Sequence, residues 1–299
     1  MNLAVAFFTF NRLDTTIQVF ETIRMAKPDR LYLISDGPRK DNASDVENIN
    51  RVRDYVENSI DWTCEVKKNY ASFNMGCMDR IASGISWVFE FEEAAVILED
   101  DIKPTPDFYD FMQAMLERYQ NDENIMLVSG FKIINSFPIE DSYTFSNFPM
   151  IWGWATWRRA WEYFDKNIAD WPEIKKRGDL KKYFNFWGYL VEVIHLNEIY
   201  YKKTNKIWDY QWTYAVLKRN GLAIIPKVNL IENLGIGHAE ATNTGNKLSQ
   251  DFTTHHLERP YRHPQKICAN KDYDAEHLNN GWGTIAIIKK IFRRILRKF

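Results

Sequence analysis

The run Ala94-Ala95-Val96-Ile97-Leu98, followed at once by Glu99-Asp100-Asp101, is the stretch that decides the fold. A short, continuous apolar run is typical of a strand buried on both faces, as in a parallel sheet covered by helices. Acids that directly follow such a strand lie at the carboxyl edge of the sheet, where open α/β folds bind their ligands. The stretch therefore predicts both a fold class and the position of a site.

Strand and helix signals alternate from the N-terminus to about residue 129. Such alternation predicts a parallel sheet with crossover helices. Asp14 is the expected cap of the first helix. The predicted strands are 3–8, 30–35, 62–67, 94–98 and 125–129, and the predicted helices are 15–25, 44–58, 77–90 and 108–119. We therefore predict an α/β fold with a mostly parallel central sheet flanked by helices.

The second half of the chain differs in composition and is rich in aromatic residues from about residue 143. Helical signals return at 180–200 and 209–219, strand-like runs follow at 222–226 and 228–231, and 240–280 is polar and predicted to be loop. We predict a main domain over 1–240, with a nucleotide-binding half to about 130 and an acceptor-side half over 131–240. A polar extension (241–281) and a basic amphipathic helix (282–299) follow it.

Composition excludes several classes of protein. The chain has 299 residues and is 45% hydrophobic with a net charge of −1, which excludes a disordered protein and leaves ample material for a core. Three cysteines are too few and too scattered for a disulfide framework or a Cys-based zinc site. No apolar run approaches the ~18 residues of a spanning helix, and the first residues do not resemble a signal peptide. We expect a cytoplasmic protein.

Residues 282–299 carry six cations and no acid, so the rest of the chain is acidic, which gives little support for nucleic-acid binding. Apolar residues recur in this segment at spacings of three and four. The pattern predicts an amphipathic helix lying in an anionic membrane interface, and the alternative is a helix docked on the body or on a second copy. The favoured location is therefore peripheral, on the inner face of the membrane.

The three consecutive acids after the buried strand require a physical reason, because like charges repel and their desolvation is costly. Asp100 and Asp101 lie where oxygen ligands could hold a hard divalent cation whose shell is completed by phosphates and water. The alternative is a solvated strand end followed by a helix start, which Pro106 and Asp107 also indicate.

Four short motifs together resemble one enzyme family. They are Thr9–Arg12, Asn74–Gly76, Leu98–Asp101 and the Trp-Gly-Trp-Ala-Thr-Trp run at Trp152–Trp157. Their order and spacing resemble nucleotide-sugar glycosyltransferases of the GT-A fold, in particular bacterial sugar transferases with a Leu-Glu-Asp-Asp motif. The Glu-Asp-Asp variant is similar to that of the N-acetylglucosaminyltransferase I group. The resemblance covers about residues 3–240.

The resemblance implies an inverting, metal-dependent transfer from a nucleotide sugar, with UDP as the expected nucleotide. The acceptor would be a glycan or lipid-linked precursor of a bacterial surface polysaccharide or lipooligosaccharide. It also implies that Asp101 binds Mn²⁺ or Mg²⁺ directly, that Asp100 reaches the ribose or a metal-bound water, and that Glu99 faces the donor sugar. A late histidine, His238, would complete the metal or diphosphate site, although a structural histidine is the alternative.

Six polar residues after the first strands are candidates for the nucleotide: Thr9, Asn11, Arg12, Asp36, Asn74 and Arg80. Thr9 and Asn11 can hydrogen-bond a base or ribose, and the planar guanidinium of Arg12 suits phosphate. Asp36 follows the second strand, where this fold usually meets the base or ribose. Asn74 and Arg80 open the third helix, whose N-terminus favours an anion. Ordinary turn chemistry is the alternative for Arg12 and Asp36, and an exposed helix position for Arg80.

The acceptor side needs a general base and a sugar-binding wall. Asp209 lies in Trp208–Trp212, a run similar to the Trp-Asp-Asp-Trp region that supplies the base in the N-acetylglucosaminyltransferase group. One extra residue leaves Gln211 as an alternative alignment, and a helix cap is another role for Asp209. Trp152, Gly153 and Trp154 are expected to line the sugar pocket, or to serve as core.

Two other functions remain open at this level. The acids could serve a metal-dependent phosphoesterase or nucleotidyltransferase, which would release a nucleoside monophosphate or pyrophosphate instead of a nucleoside diphosphate. The chain could also be a carbohydrate-binding module without catalysis, which would lack metal-dependent affinity for a nucleotide.

Overall fold

A large central sheet organises the protein in a computed structural model that describes residues 3–202, 208–237 and 252–280. The strands in chain order are β1 (Ala4–Thr9), β2 (Arg30–Ser35), β3 (Glu65–Tyr70), β4 (Ala94–Glu99), β5 (Ile102–Pro104), β6 (Ile125–Ser129), β7 (Tyr143–Ser146), β8 (Trp154–Trp157), β9 (Leu222–Pro226) and β10 (Ile231–Asn233). His238 and the tail 282–299 lie outside the described residues, so their predicted roles stay predictions.

Eight of these strands form the main sheet, in the order β3-β2-β1-β4-β8-β6-β9-β7. Strands β3, β2, β1 and β4 are parallel neighbours, and β6 and β9 run in the same direction. Strands β8 and β7 run the opposite way. The predicted mostly parallel sheet is confirmed. Strands β5 and β10 pair separately as a small antiparallel sheet.

Helices cover the sheet on both faces. They are α1 (Leu13–Ala26), α2 (Ser44–Asn58), α3 (Cys77–Val88), α4 (Pro106–Arg118), α5 (Arg158–Trp161), α6 (Trp171–Arg177), α7 (Phe186–Lys202), α8 (Asp209–Lys218) and α9 (Lys271–Asn280). Because side chains of a strand alternate in direction, Val5 and Phe7 of β1 pack into the core beside α1 and α4. Ala6 and Phe8 pack into the opposite core, beside α3 and α8. No helix among the described residues is long and apolar enough to cross a bilayer.

Three local expectations were wrong. Strand β3 begins at Glu65 instead of residue 62, because this edge strand is partly exposed and carries no continuous apolar run. Arg12, and not Asp14, is the N-cap of α1, and Asp14 lies in the first turn. Part of the predicted loop 240–280 is the helix α9. Polar contacts attach this helix to the body, since Asp274 accepts hydrogen bonds from the Ser146 hydroxyl and the Asn147 N–H. Hydrophobic periodicity does not reveal a helix that is held in this way.

The sheet topology brings distant segments to one edge. Thr9 pairs with Ser35 and Phe8 with Glu99, so the turns after β1, β2 and β4 leave the sheet side by side. Because β8 is antiparallel to β4, the segment just before Trp154 enters the sheet at this same edge. Helix α8 leads into β9, which is one of the parallel strands. The helix therefore begins at the carboxyl edge of the sheet, and its first turn lies at the same edge as the turns after β1, β2 and β4.

Candidate functional site

Asp100 and Arg12 form the central contact of this edge. The Asp100 side chain is 4% exposed, and its Oδ1 accepts a hydrogen bond from Arg12 Nη2 at 2.6 Å. Its Oδ2 accepts the backbone N–H of Phe10 at 3.0 Å. Arg12 Nη2 also lies 3.0 Å from Asp101 Oδ2, so one guanidinium bridges both aspartates. Burial disfavours the charge of Arg12, but the two carboxylates outweigh it and raise the pKa of the guanidinium.

The carboxyl groups of this cluster have shifted pKa values. Burial raises the pKa of Asp100 to about 6, and Arg12 opposes that rise. Burial, followed by the charges of Asp101 and Asp100, raises the pKa of Glu99 to about 8. At neutral pH Glu99 therefore holds a proton, whereas Asp100 is mostly ionised. A protonated carboxyl can donate a hydrogen bond that a carboxylate cannot.

The aspartate pair suits a cation that shares its ligands with a substrate. No group of three or more His, Cys, Asp or Glu within 3–202, 208–237 and 252–280 is arranged to hold a metal ion. Mg²⁺, however, is usually bound through one or two carboxylates, with substrate phosphates and water as further ligands. Asp101, whose side chain is 20% exposed, supplies one such carboxylate, which also suits Mn²⁺. Both Asp100 oxygens are already hydrogen-bonded to Arg12 and to the Phe10 N–H, so Asp100 supports the site from beneath. The acidic turn therefore fits a metal bound together with a diphosphate, and it does not form a protein-only cage.

The loop after β10 closes against Asp101. The Leu234 N–H donates to the backbone carbonyl of Asp101 at 2.8 Å. A Cβ at Gly235 would lie 2.4 Å from Asp101 Oδ2, so a glycine is required for this close approach. The predicted late segment therefore does reach the acidic turn, although His238 itself is not described.

Asp36 connects two turns instead of presenting a free carboxylate. Its Oδ1 accepts the N–H groups of Gly37 and Met75, each at 2.8 Å. Its Oδ2 accepts the Asn74 amide at 3.0 Å and the Gly76 N–H at 3.1 Å. The predicted residues Asp36 and Asn74 thus meet each other, and their side chains shape the turn that precedes α3. A direct contact of the Asp36 carboxylate with a nucleotide would require one of these bonds to open.

The remaining nucleotide candidates are also engaged with the chain. The Asn11 amide donates to Asp45 Oδ1 at 2.9 Å, and Thr9 is buried at the end of β1. Arg80 is 6% exposed and its Nη2 donates at 3.0 Å to the backbone and side-chain oxygens of Asn69. Neither a surface position nor an anion site at the helix start describes Arg80, which instead ties α3 to β3. Arg12 alone among these six contacts the acidic turn through its side chain.

A cavity of about 280 Å³ lies between α7, α8 and α9 and the segment before β8, and we call it the aromatic cavity. Its polar lining includes Asp209 and Thr213 of α8, Glu192 and His195 of α7, and His277 of α9. Its apolar lining includes Trp152, Phe131, Phe148 and Phe184. Trp152 thus lies where a sugar-binding wall was predicted.

The other two residues of the predicted wall lie elsewhere. Trp154 is 1% exposed and packs in the core on the rings of Trp208 and Trp212, each at 5.8 Å between centroids. Gly153 has φ +59°, and a Cβ there would lie 2.4 Å from Ile231 Cδ1. Gly153 therefore serves close packing against β10, and Trp154 serves the core.

Asp209 faces the aromatic cavity, and Gln211 does not. Trp208 is the N-cap of α8, whereas Asp209 is its first helical residue and its Oδ1 accepts the N–H of Tyr210 at 3.0 Å. Gln211 is fully buried, with its amide directed at Lys166 and Met78. Of the two alignments for a base, the geometry favours Asp209, and burial raises the pKa of its carboxyl.

The acidic turn and Asp209 of the aromatic cavity both act electrostatically on Cys77, at the start of α3. Burial, and then the charges of Glu99, Asp209 and Asp101, raise the pKa of the Cys77 thiol to about 12. Glu99 also interacts electrostatically with Asp209. Asp101 and Asp209, 108 positions apart in the sequence, therefore both lie within electrostatic range of Cys77.

Sequence analysis missed Glu192. Burial, followed by the charge of Asp209, raises the pKa of Glu192 to about 7. The signal was a single acid within the apolar run of residues 189–196, where an ionised side chain is costly. Another missed residue is His277, whose pKa burial lowers to about 4.

No protein-family model and no curated protein matches this chain. Among solved structures it is similar to UDP-glucose pyrophosphorylase complexed with UDP-glucose, with TM-score 0.34 and 13% identity over 54% of this chain and 78% of that chain. Apo UDP-glucose pyrophosphorylase gives TM-score 0.38 and 10% identity over 75% and 90%. A cytidylyltransferase from Leptospira borgpetersenii serovar Hardjo-bovis gives 0.34 and 12% over 74% and 95%. At these TM-scores the likenesses carry no weight for the function.

Replacing Arg12 with alanine should destabilise the protein, because Asp100 would stay buried without its cation. Removing one partner of a buried ion pair costs roughly 3–5 kcal/mol. Chemical denaturation measures the change. The matched control is Arg24→Ala, which removes an exposed guanidinium paired with Asp61 and Glu21 and should have little effect. Equal stability of the two variants would contradict the bridging role of Arg12.

Replacing Glu192 with glutamine should stabilise the protein above neutral pH. Because the folded pKa is raised to about 7, the acid form is favoured in the fold, and stability is lost as the pH rises through that value. The variant and the parent should therefore have similar melting temperatures at pH 4, and the variant should melt higher at pH 8.5. Glu198→Gln, on the same helix, removes the partner of Lys202 and should show no such gain. A parent that melts higher at pH 8.5 would refute the shift.

Proposed function

We propose that the protein is a metal-dependent glycosyltransferase of the GT-A type. It transfers a sugar from a nucleotide sugar, UDP-linked in our proposal, to a glycan or lipid-linked acceptor in bacterial surface polysaccharide or lipooligosaccharide synthesis. The observation that carries the proposal is the position of Asp209 in an aromatic cavity, within electrostatic range of the acidic turn that ends β4. The proposed diphosphate site and the proposed base are thus within electrostatic range of each other.

The acidic turn is the donor side of this proposal. Asp101 is the residue that would hold a divalent cation directly, and Asp100 would reach the ribose or a metal-bound water. The cation, when bound, supplies Lewis-acid stabilisation of the departing diphosphate. Arg12 already contacts both aspartates, so its guanidinium is in place to pair with the same phosphates. Glu99 adjoins the two aspartates, and its carboxyl group would hydrogen-bond to a hydroxyl of the donor sugar.

The aromatic cavity is the acceptor side. Asp209 would accept the proton of the attacking hydroxyl on the face opposite the leaving group, as an inverting transfer requires. Its raised pKa suits this role, because a base is most effective when its pKa approaches the working pH. Trp152 supplies an aromatic face for the acceptor ring. This cavity supports sugar transfer over simple hydrolysis of a nucleotide, which needs no pocket for an acceptor. A nucleotidyltransferase acting on a sugar phosphate would need such a pocket too, and the released product separates it from a glycosyltransferase.

Changing Asp101 to asparagine should abolish Mn²⁺-dependent binding of UDP while the fold is kept. The neutral amide is a weaker ligand for a hard cation, so the diphosphate loses its link to the protein. Thermal shift with UDP, with and without Mn²⁺, measures the effect. Asp61→Asn, an exposed carboxylate that pairs with Arg24, is the control and should behave as the parent does. Undiminished Mn²⁺-dependent binding in Asp101→Asn would remove the metal role.

Changing Asp209 to asparagine should leave UDP affinity unchanged and reduce transfer by about 10²-fold or more, because the general base is lost. UDP release from a panel of UDP-hexoses, with a membrane-lipid extract as acceptor, measures turnover. Asp41→Asn is a control on an exposed carboxylate. Full activity of the Asp209 variant would eliminate this base. Release of pyrophosphate or a nucleoside monophosphate by the parent would instead identify one of the rival reactions.

A further inference from the structure

We propose that the aromatic cavity binds one uncharged sugar ring of the acceptor, and that Glu192 positions this ring by hydrogen bonding to a hydroxyl beside the one that faces Asp209. The proposal rests on the proposed function in one respect, since it takes Asp209 as the base. It adds a chemical class of ligand and a positioning residue that no motif in the sequence indicated.

The size and lining of the cavity match a single ring. Its volume of about 280 Å³ lies just below the ~300–1,000 Å³ typical of pockets for drug-sized ligands. Trp152 and Phe131 pack against each other on one wall, with 4.5 Å between ring centroids. Aromatic faces pack well on the apolar faces of sugar rings, and hydroxyl groups project to the side. The polar side chains in this cavity are therefore in position for hydroxyl groups.

Glu192 has unmet hydrogen-bonding capacity inside this cavity. Its side chain lines the cavity, the residue is 9% exposed, and Oε1 has no hydrogen-bond partner among the described residues. His277 Nδ1, from α9, is likewise buried without a partner among them. Leaving a buried polar atom unsatisfied costs free energy, which a ligand hydroxyl would recover. A ligand hydroxyl that bonds to Oε1 would offset the cost of burying this carboxyl group.

The two acids of the cavity complement a pair of hydroxyl groups. Asp209 and Glu192 interact, and the raised pKa of Glu192 keeps a proton on it near neutrality. A protonated Glu192 donates one hydrogen bond and the carboxyl oxygen of Asp209 accepts another, whereas each sugar hydroxyl can do either. The other titratable groups facing Glu192 are His195, Tyr210 and His277. An ammonium ligand would instead favour ionisation of both acids.

The test measures binding of neutral methyl glycosides to the full-length protein by saturation-transfer NMR, in the presence of UDP and Mn²⁺. Glu192→Leu should weaken binding at least tenfold, and Glu192→Gln, which keeps a donor and an acceptor, should stay within about threefold of the parent at pH 7. The parent's affinity should fall as the pH rises above 7, because Glu192 loses its donor proton, and the glutamine variant should show no such fall. UDP affinity should be equal in all variants. Glu198→Gln is the control on the same helix.

Several results would overturn the proposal. They are equal binding of glycosides by the parent and Glu192→Leu, identical pH profiles of the parent and Glu192→Gln, preference for a protonated amino-sugar glycoside, and absence of glycoside binding. A different result would refute only the proposed glycosyl transfer: Mn²⁺ and UDP do not bind, while the glycosides still bind in a Glu192-dependent way. The reverse result, UDP binding without glycosides, leaves the transferase and removes the cavity assignment.

Discussion

The contact between Arg12 and the two aspartates is the interaction on which the functional edge of this protein depends. Asp100 is almost fully buried, and a carboxylate in that position is tolerable because a guanidinium and a backbone N–H satisfy its two oxygens. The same guanidinium reaches Asp101. This bridge joins the turn after β1 to the turn after β4, so the two central strands present their polar residues as one unit.

The carboxyl groups extend from this bridge into the aromatic cavity. Asp100 and Asp101 both act electrostatically on the neighbouring Glu99. Glu99 in turn interacts with Asp209, and Asp209 interacts with Glu192 in the cavity. Burial raises the pKa values of Glu99, Asp100, Asp209 and Glu192, so keeping these carboxyl groups ionised in the fold costs free energy. Such a cost is typical of sites where protons and charges must be controlled.

Local sequence patterns predicted the buried strand and the polar turn after it, but they missed several side-chain contacts between segments that are distant in sequence. The apolar run 94–98 predicted the buried strand β4, and the acids after it predicted a polar turn at the carboxyl edge of the sheet. Both predictions were possible because the residue types alone indicate which segments are apolar and which are charged. Asp36 and Asn74 were both placed near the site, but their contact with each other depends on a turn that brings residues 38 positions apart together. Arg80 was assigned to a helix surface or an anion site, yet it is buried against Asn69.

The sequence by itself determined the α/β class and the identity of β4, and it offered Asp209 and Gln211 as candidates for a base. The tertiary structure placed Asp209 in the cavity and Gln211 in the core, buried Trp154, and brought Glu192 and His277 from α7 and α9 to one cavity. The physical reason is that periodicity and charge report how a residue meets its neighbours along the chain. Contacts across the cavity instead depend on how separate helices pack on the sheet, which no local pattern encodes.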